Sequence, residues 1–397
     1  MSQNIRDFVS TSCDLVGLGE PTHQEPAFQL IRNELFAQLV DLGFRSIALE
    51  TDRVAALIVN DFVQEGIGDL DTVLSEGFSH TFGNLDGNRQ LVTWMHEYNQ
   101  HRPPQDRVAF HGLDAQTENT TAPSPRRYLE YARDYLRLDL DLATLLGADE
   151  LWDREEAILN PAKSIGATPE AERLRAMAND MLISLDVRAP ELIAATSRAE
   201  WLRARTHLTA GLGLLRYHKQ AARDLARNAR ISLLMATRAA IMAQNLLDIR
   251  SIEARRGATL AHAHNDHLRR NPSTMRVAGL VLDWLGVGAI VGSLLGEQYA
   301  FIAGSLGRSD ILGIPEPEPD TYEGLLQSRI GTWGLTPATT ISAARTRTGA
   351  PPEKGYFPLD QTILGAADTV LHIGDATAAL PKMTNHDAAP RRVTSDT

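Results

Sequence analysis

The chain has 397 residues, of which 43% are hydrophobic, and a formal net charge of −11. That apolar content is ample for a buried core, whereas the acidic balance argues against nucleic acid or an anionic membrane as partner, since both demand basic patches. The single cysteine, Cys13, excludes an internal disulfide and a four-cysteine zinc site, and no stretch approaches the roughly 20 apolar residues of a membrane helix, so the chain reads as a soluble cytoplasmic protein.

Residues 1–12 are expected to form a lead-in helix. Residues 15–18 are a short apolar run ended by Gly19, after which Phe28, Ile31, Leu35, Leu39 and Leu42 recur at helical steps. Gly43 stops that helix, and 46–49 is a second apolar run that ends on Glu50. The unit is strand, helix, strand. Ligands of such units gather beyond the carboxyl ends of the strands, where Glu20, His23 and Glu50 fall. Helical pieces fill 61–98, broken by Gly66-Ile67-Gly68 and by Gly83-Asn84-Leu85-Asp86-Gly87, the second of which is a loop beside the site. A third strand is expected over 107–112, with Asp114 just past its end.

Ser124-Pro125 has the form of a helix start, Thr168-Pro169 repeats it, and a long helical pattern over 221–256 is stopped by Gly257. Trp152, Trp201, Met235 and Met242 are expected to pack these helices together. Strand returns over 258–264 and leads into a helix at 265–270. Apolar segments follow at 276–282, 287–294 and 299–304, then a solvated loop at 314–320 and a last strand at 369–373. Beyond Lys382 the chain is polar and expected to fray. The fold class is α/β, a central mostly parallel sheet flanked by helices. Residues 1–124 and 257–397 form a discontinuous catalytic core, and 125–256 form an all-helical insertion that walls the pocket.

Several chemistries find no support. There is no Gly-x-Ser-x-Gly elbow, and Cys13 sits at a buried strand rather than in a reactive setting. Gly17-Leu18-Gly19-Glu20-Pro21-Thr22 comes near a dinucleotide fingerprint, but Thr22 replaces the third glycine and Glu20 would oppose a pyrophosphate. What remains is acid–base chemistry. Glu20 can orient His23 and raise its basicity, although a helix-start acid and a surface histidine would give the same residues. Arg32 lies on the first turns of the helix and leans back towards the site, where an ordinary exposed ion pair is the alternative. His264 and His267 share one side of a strand-to-helix junction, and His111 and Asp114 end the third strand. His262 reads as a satisfied structural histidine. The same residue types permit zinc or iron, yet no compact ligand motif requires it. Metal-free water activation with no cofactor is the leading reading and metal-assisted hydrolysis the alternative.

Six patches recur in one order along the chain: Gly19-Glu20-Pro21-Thr22-His23, Ala48-Leu49-Glu50-Thr51-Asp52, Phe110-His111-Gly112-Leu113-Asp114, Met242-Ala243-Gln244-Asn245-Leu246, Ala263-His264-Asn265-Asp266-His267 and Gly374-Asp375-Ala376-Thr377-Ala378-Ala379-Leu380-Pro381. Together they resemble the erythromycin esterase family. Gln24 stands where that family usually has glycine, and Ala239 where an acid usually follows the arginine at 238. The resemblance implies hydrolysis of an ester or macrolactone, with His23 as the base activating water and Glu20 as its orienter. Glu50 and Arg32 would be the ionic frame, and His264 and His267 would stabilise the intermediate or assist the leaving group. His111, Asp114, Arg53 and Asn265 would contact a small-molecule substrate, expected to be a bulky natural product met in antibiotic resistance or in secondary metabolism. Two rivals use the same residues: a biosynthetic enzyme acting on an amide, thioester or ring, and a non-catalytic ligand-binding protein.

Overall fold

A computed structural model describes residues 3–118, 120–277, 279–348 and 355–379. The tail beyond Lys382, together with Leu380 and Pro381 of the last motif, lies outside the described residues. The strands are β1 (Leu15–Glu20), β2 (Ser46–Asp52), β3 (Ala109–Asp114), β4 (Thr259–His264), β5 (Ser273–Val277), β6 (Leu280–Trp284), β7 (Tyr299–Arg308), β8 (Trp333–Pro337) and β9 (Thr369–Asp375). Seven of them form one sheet in the order β3-β2-β4-β1-β7-β9-β8, and β5 and β6 pair separately as an antiparallel hairpin. The large sheet is parallel except for β8, which runs antiparallel to β9 at one edge.

Its central strands are buried at every position because both faces are covered, which is why they read as continuous apolar runs. On one face Val16, Leu18, Ile47 and Leu260 pack against Phe28, Leu35 and Leu39 of the helix Pro26–Asp41. On the other, Leu15, Ala48 and Ala261 pack against Met242, Leu246 and Ile249 of the helix Arg227–Glu253. β1, β4 and β2 are neighbours, and their carboxyl ends carry Glu20, His264 and Glu50, the position where a doubly wound sheet opens a crevice.

The chain is helical from Arg126 to Glu253, interrupted by short connections. Its earlier helices have an apolar centre of their own around Leu129, Trp152, Leu174, Met181 and Leu208, whereas the last helix belongs to the core of the sheet. Some expectations are corrected. Residues 3–12 hold only a short 3-10 turn, Ile5–Asp7, capped by the Asn4 side chain, because Ser10 and Ser12 bond to each other and compete with continued helix. β3 begins at Ala109 and runs on to Asp114, while β8, five residues ending on a proline at a sheet edge, had no sequence expectation. The long pattern expected over 221–256 is split: one helix ends at Ala221 and the next begins at Arg227.

Candidate active site

Glu20 ends β1 and Glu50 lies two residues before the end of β2, and both are buried. Three residues after Glu20, His23 folds back over the strand end, with Nδ1 at 2.7 Å from Glu20 Oε1 and Nε2 at 3.8 Å from Glu50 Oε2. An ionised carboxylate can only accept, so Nδ1 carries the hydrogen and Nε2 is left for an incoming proton. Burial lowers the pKa of His23, but Glu50, the hydrogen bond to Glu20 and the Glu20 charge raise it more, to about 9. Against the opposing effect of burial, His262 and then His23 hold the Glu20 carboxyl below the usual range, and His267 and then His23 do the same for Glu50.

Glu50 is the hub. It accepts the backbone N–H of His264 at 2.9 Å, and it lies 3.1 Å from His267 Nε2 and 3.3 Å from Arg238 Nη2. His264 caps the short helix Asn265–Leu268: its Nδ1 accepts the N–H of Asp266, which puts the ring hydrogen of the neutral form on Nε2. Burial lowers the pKa of His264 and so keeps it neutral. Its ring lies 5.5 Å from that of His23, and Nε2 has no hydrogen-bond partner among the described residues. His267 Nδ1 is likewise buried without a hydrogen bond. Two such atoms in one small volume depart from the rule that buried polar groups are satisfied, and that departure marks a site built to meet something else.

The structure brings Glu20, His23, Glu50, His264, His267 and Asp114 into one connected cluster and corrects other expectations. Arg32 is buried beside the pocket, but its guanidinium bonds to Asn33 Oδ1 at 2.8 Å and to the Gly87 carbonyl rather than to Glu50. The cation of the ionic frame is Arg238, whose Nε and Nη2 reach both oxygens of Asp114 at 2.9 and 2.5 Å as well as Glu50. Its position was visible in the sequence only as the arginine before the methionine motif. Nothing in the local pattern showed that a helix more than a hundred residues away would deliver it. His262 is not an isolated structural residue. Its Nδ1 donates to the Leu18 carbonyl at 2.9 Å, and Nε2 faces Glu20 Oε2 at 3.3 Å, a contact that needs one shared proton. The alternation of β4 could have revealed it, because register sets His264 beside Glu20 and His262 one step behind.

The Asn265 side chain is spent within the fold. It clamps Gly304 by one bond from its amide nitrogen to the Gly304 carbonyl and one from the Gly304 N–H to its oxygen, each at 2.9 Å, and it sits so close to Gly19 that a Cβ there would lie 2.2 Å from its Oδ1. Gly19 is therefore required by a close approach. His111 and Arg53 bond to each other at 3.1 Å, and His111 bonds through its other nitrogen to Glu253 at the end of the helix Arg227–Glu253, away from His23.

The walls over His23 are aromatic. Phe82 lies 5.2 Å from the His23 ring and 5.5 Å from that of His80, and Phe78, Leu85 and Asn88 complete a pocket with room for about one water, near 20 Å³. His80 and Thr81 both have left-handed backbone (φ 56 and 61°), a costly conformation outside glycine. Bonds from both ring nitrogens of His80, to Asp114 at 2.9 Å and Glu118 at 2.7 Å, hold the loop in that shape. Among the described residues no group of three or more His, Cys, Asp or Glu is arranged to hold a metal ion, and no helix is long and apolar enough to cross a membrane.

Comparison with solved structures gives three similar folds. A Bacillus cereus protein superposes with a TM-score of 0.68 at 15% identity, covering 94% of this chain and 92% of that one. A succinoglycan biosynthesis protein gives 0.64 at 18%, covering 92% and 88%. A histidine-to-asparagine mutant of the erythromycin esterase EreC, in its open conformation, gives 0.63 at 19%, covering 92% and 91%. No curated protein sequence matches the chain. The sequence profile described as erythromycin esterase matches residues 40–387, which takes in Glu50, Arg238 and both His264 and His267 and begins just after the Glu20 and His23 turn. With the ordered motifs, the parallel sheet and a profile spanning most of the chain in agreement, this chain belongs to the erythromycin esterase family.

Proposed function

We propose that the protein hydrolyses an ester or macrolactone of a small, bulky natural product, with His23 Nε2 as the base that takes a proton from water. The observation that carries this reading is a histidine whose Nδ1 is tied to Glu20 while Nε2 stays open at a pocket of one-water size. Attack on the ester carbonyl creates an oxyanion. The unpartnered Nε2–H of His264 is a neutral donor close to His23 and suited to that charge, and His267, held by Glu50, can pass a proton to the leaving alkoxide. Glu50, Asp114 and Arg238 keep these groups in register. A screen of lactones, esters and amides against the purified protein tests the reading: turnover of esters or lactones supports it, whereas turnover of amides alone, or saturable binding with no turnover of any of them, would replace it with a rival.

The reading involves no metal, and the cluster's mutual hydrogen bonds favour it. Activity is accordingly expected to survive dialysis against a strong chelator. Loss of activity on chelation, restored by zinc or iron found in stoichiometric amount, would overturn it.

Phe82 is expected to govern which esters reach His23, because the pocket beneath it is too small for more than water. Phe82→Ala should raise kcat/KM severalfold for bulky esters relative to small ones, with kcat for small esters little changed. An unchanged ratio of bulky to small substrates would show that the ring does not stand in the path.

A further inference from the structure

A second cavity, of about 250 Å³, lies beside β3 between the helix Ala56–Glu65, the first turns of the helix Arg198–Ala221 and the end of the helix Arg227–Glu253. It shares no lining residue with the pocket around His23. We propose that this cavity binds a small organic monocarboxylate, held by Arg53.

Arg53 is 5% exposed, and the single hydrogen bond of its side chain among the described residues is from Nη1 to His111 Nδ1. It takes part in none of the ion pairs at 4.0 Å or less among the described residues. The nearby carboxylates are already committed. Glu253 accepts from His111 Nε2 at 2.9 Å and from Arg256 Nη1 at 2.8 Å, Asp61 is paired with Arg203 at 2.5 Å, and Asp248 with Arg205 at 3.3 Å. His111 adds no charge: it accepts from Arg53 on one nitrogen, donates to Glu253 on the other, and is pushed towards neutrality by burial. Burial also draws Arg53 down to about 10, opposed by Asp248 and Glu253.

A buried guanidinium with no carboxylate in ion-pair contact is costly unless something anionic reaches it. Three arginines line this cavity against two carboxylates, leaving one positive charge in a chain whose net charge is −11. A carboxylate matches the planar fork of Arg53, and one negative charge balances the site. A dianion would meet Asp61 and Glu253. The side-chain oxygen of Asn60 is used by the Phe110 N–H, which frees the amide hydrogens of this lining residue for the same ligand, and Leu57, Leu202 and Ile252 offer apolar surface for its hydrocarbon part.

The test is calorimetric titration and thermal melting of the full chain with benzoate, with benzyl alcohol and inorganic phosphate as comparisons. Benzoate should bind at one site and raise Tm as ligand linkage requires, with benzyl alcohol at least tenfold weaker. Arg53→Gln should lose at least tenfold in benzoate affinity, and Ala199→Trp, which fills the exposed mouth without touching Arg53, should block binding even if the first variant fails to fold. His23→Ala should bind benzoate as the wild type does. Absence of saturable binding, equal binding in Ala199→Trp, preference for phosphate, or loss of binding in His23→Ala would each overturn the proposal. No readout uses turnover, so failure here leaves the hydrolase reading untouched, and failure of that reading leaves this one standing.

Discussion

His23→Ala is expected to lose turnover by a hundredfold or more, within the ~10²–10⁴ range typical of a positioned general base, while the far-ultraviolet circular dichroism stays that of the wild type. The pH profile gives the same assignment an independent check. Only neutral imidazole can accept a proton, and Glu20 and Glu50 hold His23 in its charged form up to about 9. In the wild type kcat/KM should therefore climb with pH and level off near 9, well above the ~6.5 of an isolated histidine. Glu20→Gln removes one of the two charges and keeps an amide, so the acid limb should move to lower pH as the maximal rate drops through poorer orientation of the ring. Stability follows the same sign. A histidine raised from ~6.5 to about 9 contributes stability that is fully present below ~6.5 and is lost as pH rises through 9, so His23→Ala should cost more at pH 6 than at pH 10. A wild-type limb at or below 6.5, or near-normal turnover in His23→Ala, would sink the assignment.

Arg238→Met should be the most damaging single change outside the histidines. It leaves Asp114, which has no exposed surface, and Glu50 as neighbouring buried carboxylates without their common cation. Breaking a buried ion pair from one side costs about 3–5 kcal/mol, and a shift of the cluster by a fraction of an ångström is expected to reduce turnover by on the order of a hundredfold. Arg238 opposes burial in holding Asp114 low, and it does the same for Glu50 alongside the stronger effects of His267 and His23. Depressed carboxyl groups contribute stability that is present above their unfolded values near ~4 and is lost as pH falls below them. The deficit of Arg238→Met should therefore be large in urea denaturation at pH 7 and shrink only as pH falls below ~4. Arg238→Lys keeps the charge but not the two-pronged contact and should fall between. A deficit that does not vary with pH, together with normal turnover, would mean that Arg238 is only a packing residue.

The sequence by itself determined the frame. The run at 15–18, the stripe from Phe28 to Leu42 and the run at 46–49 define strand, helix and strand because apolar spacing follows the period of the local backbone, and burial on both faces makes parallel strands conspicuous. Glu20, His23, Glu50, His264 and His267 were legible for the same reason: each lies at the end of a strand or within three residues of it, so local geometry alone brings it to the rim of the sheet. β8 escaped, being short and closed by proline. The tertiary structure decided the partners. Arg238 displaced Arg32 from the ionic frame because an arginine bonds to whatever acceptor its helix places within reach, and that depends on how Arg227–Glu253 lies across the sheet. Asn265 is spent on Gly304, and His111 sits between Arg53 and Glu253, because neighbouring strands and helices offered partners that no spacing along the chain encodes. Residue type and period are properties of one segment, whereas a hydrogen-bond partner is a property of two, and only the folded chain chooses the second.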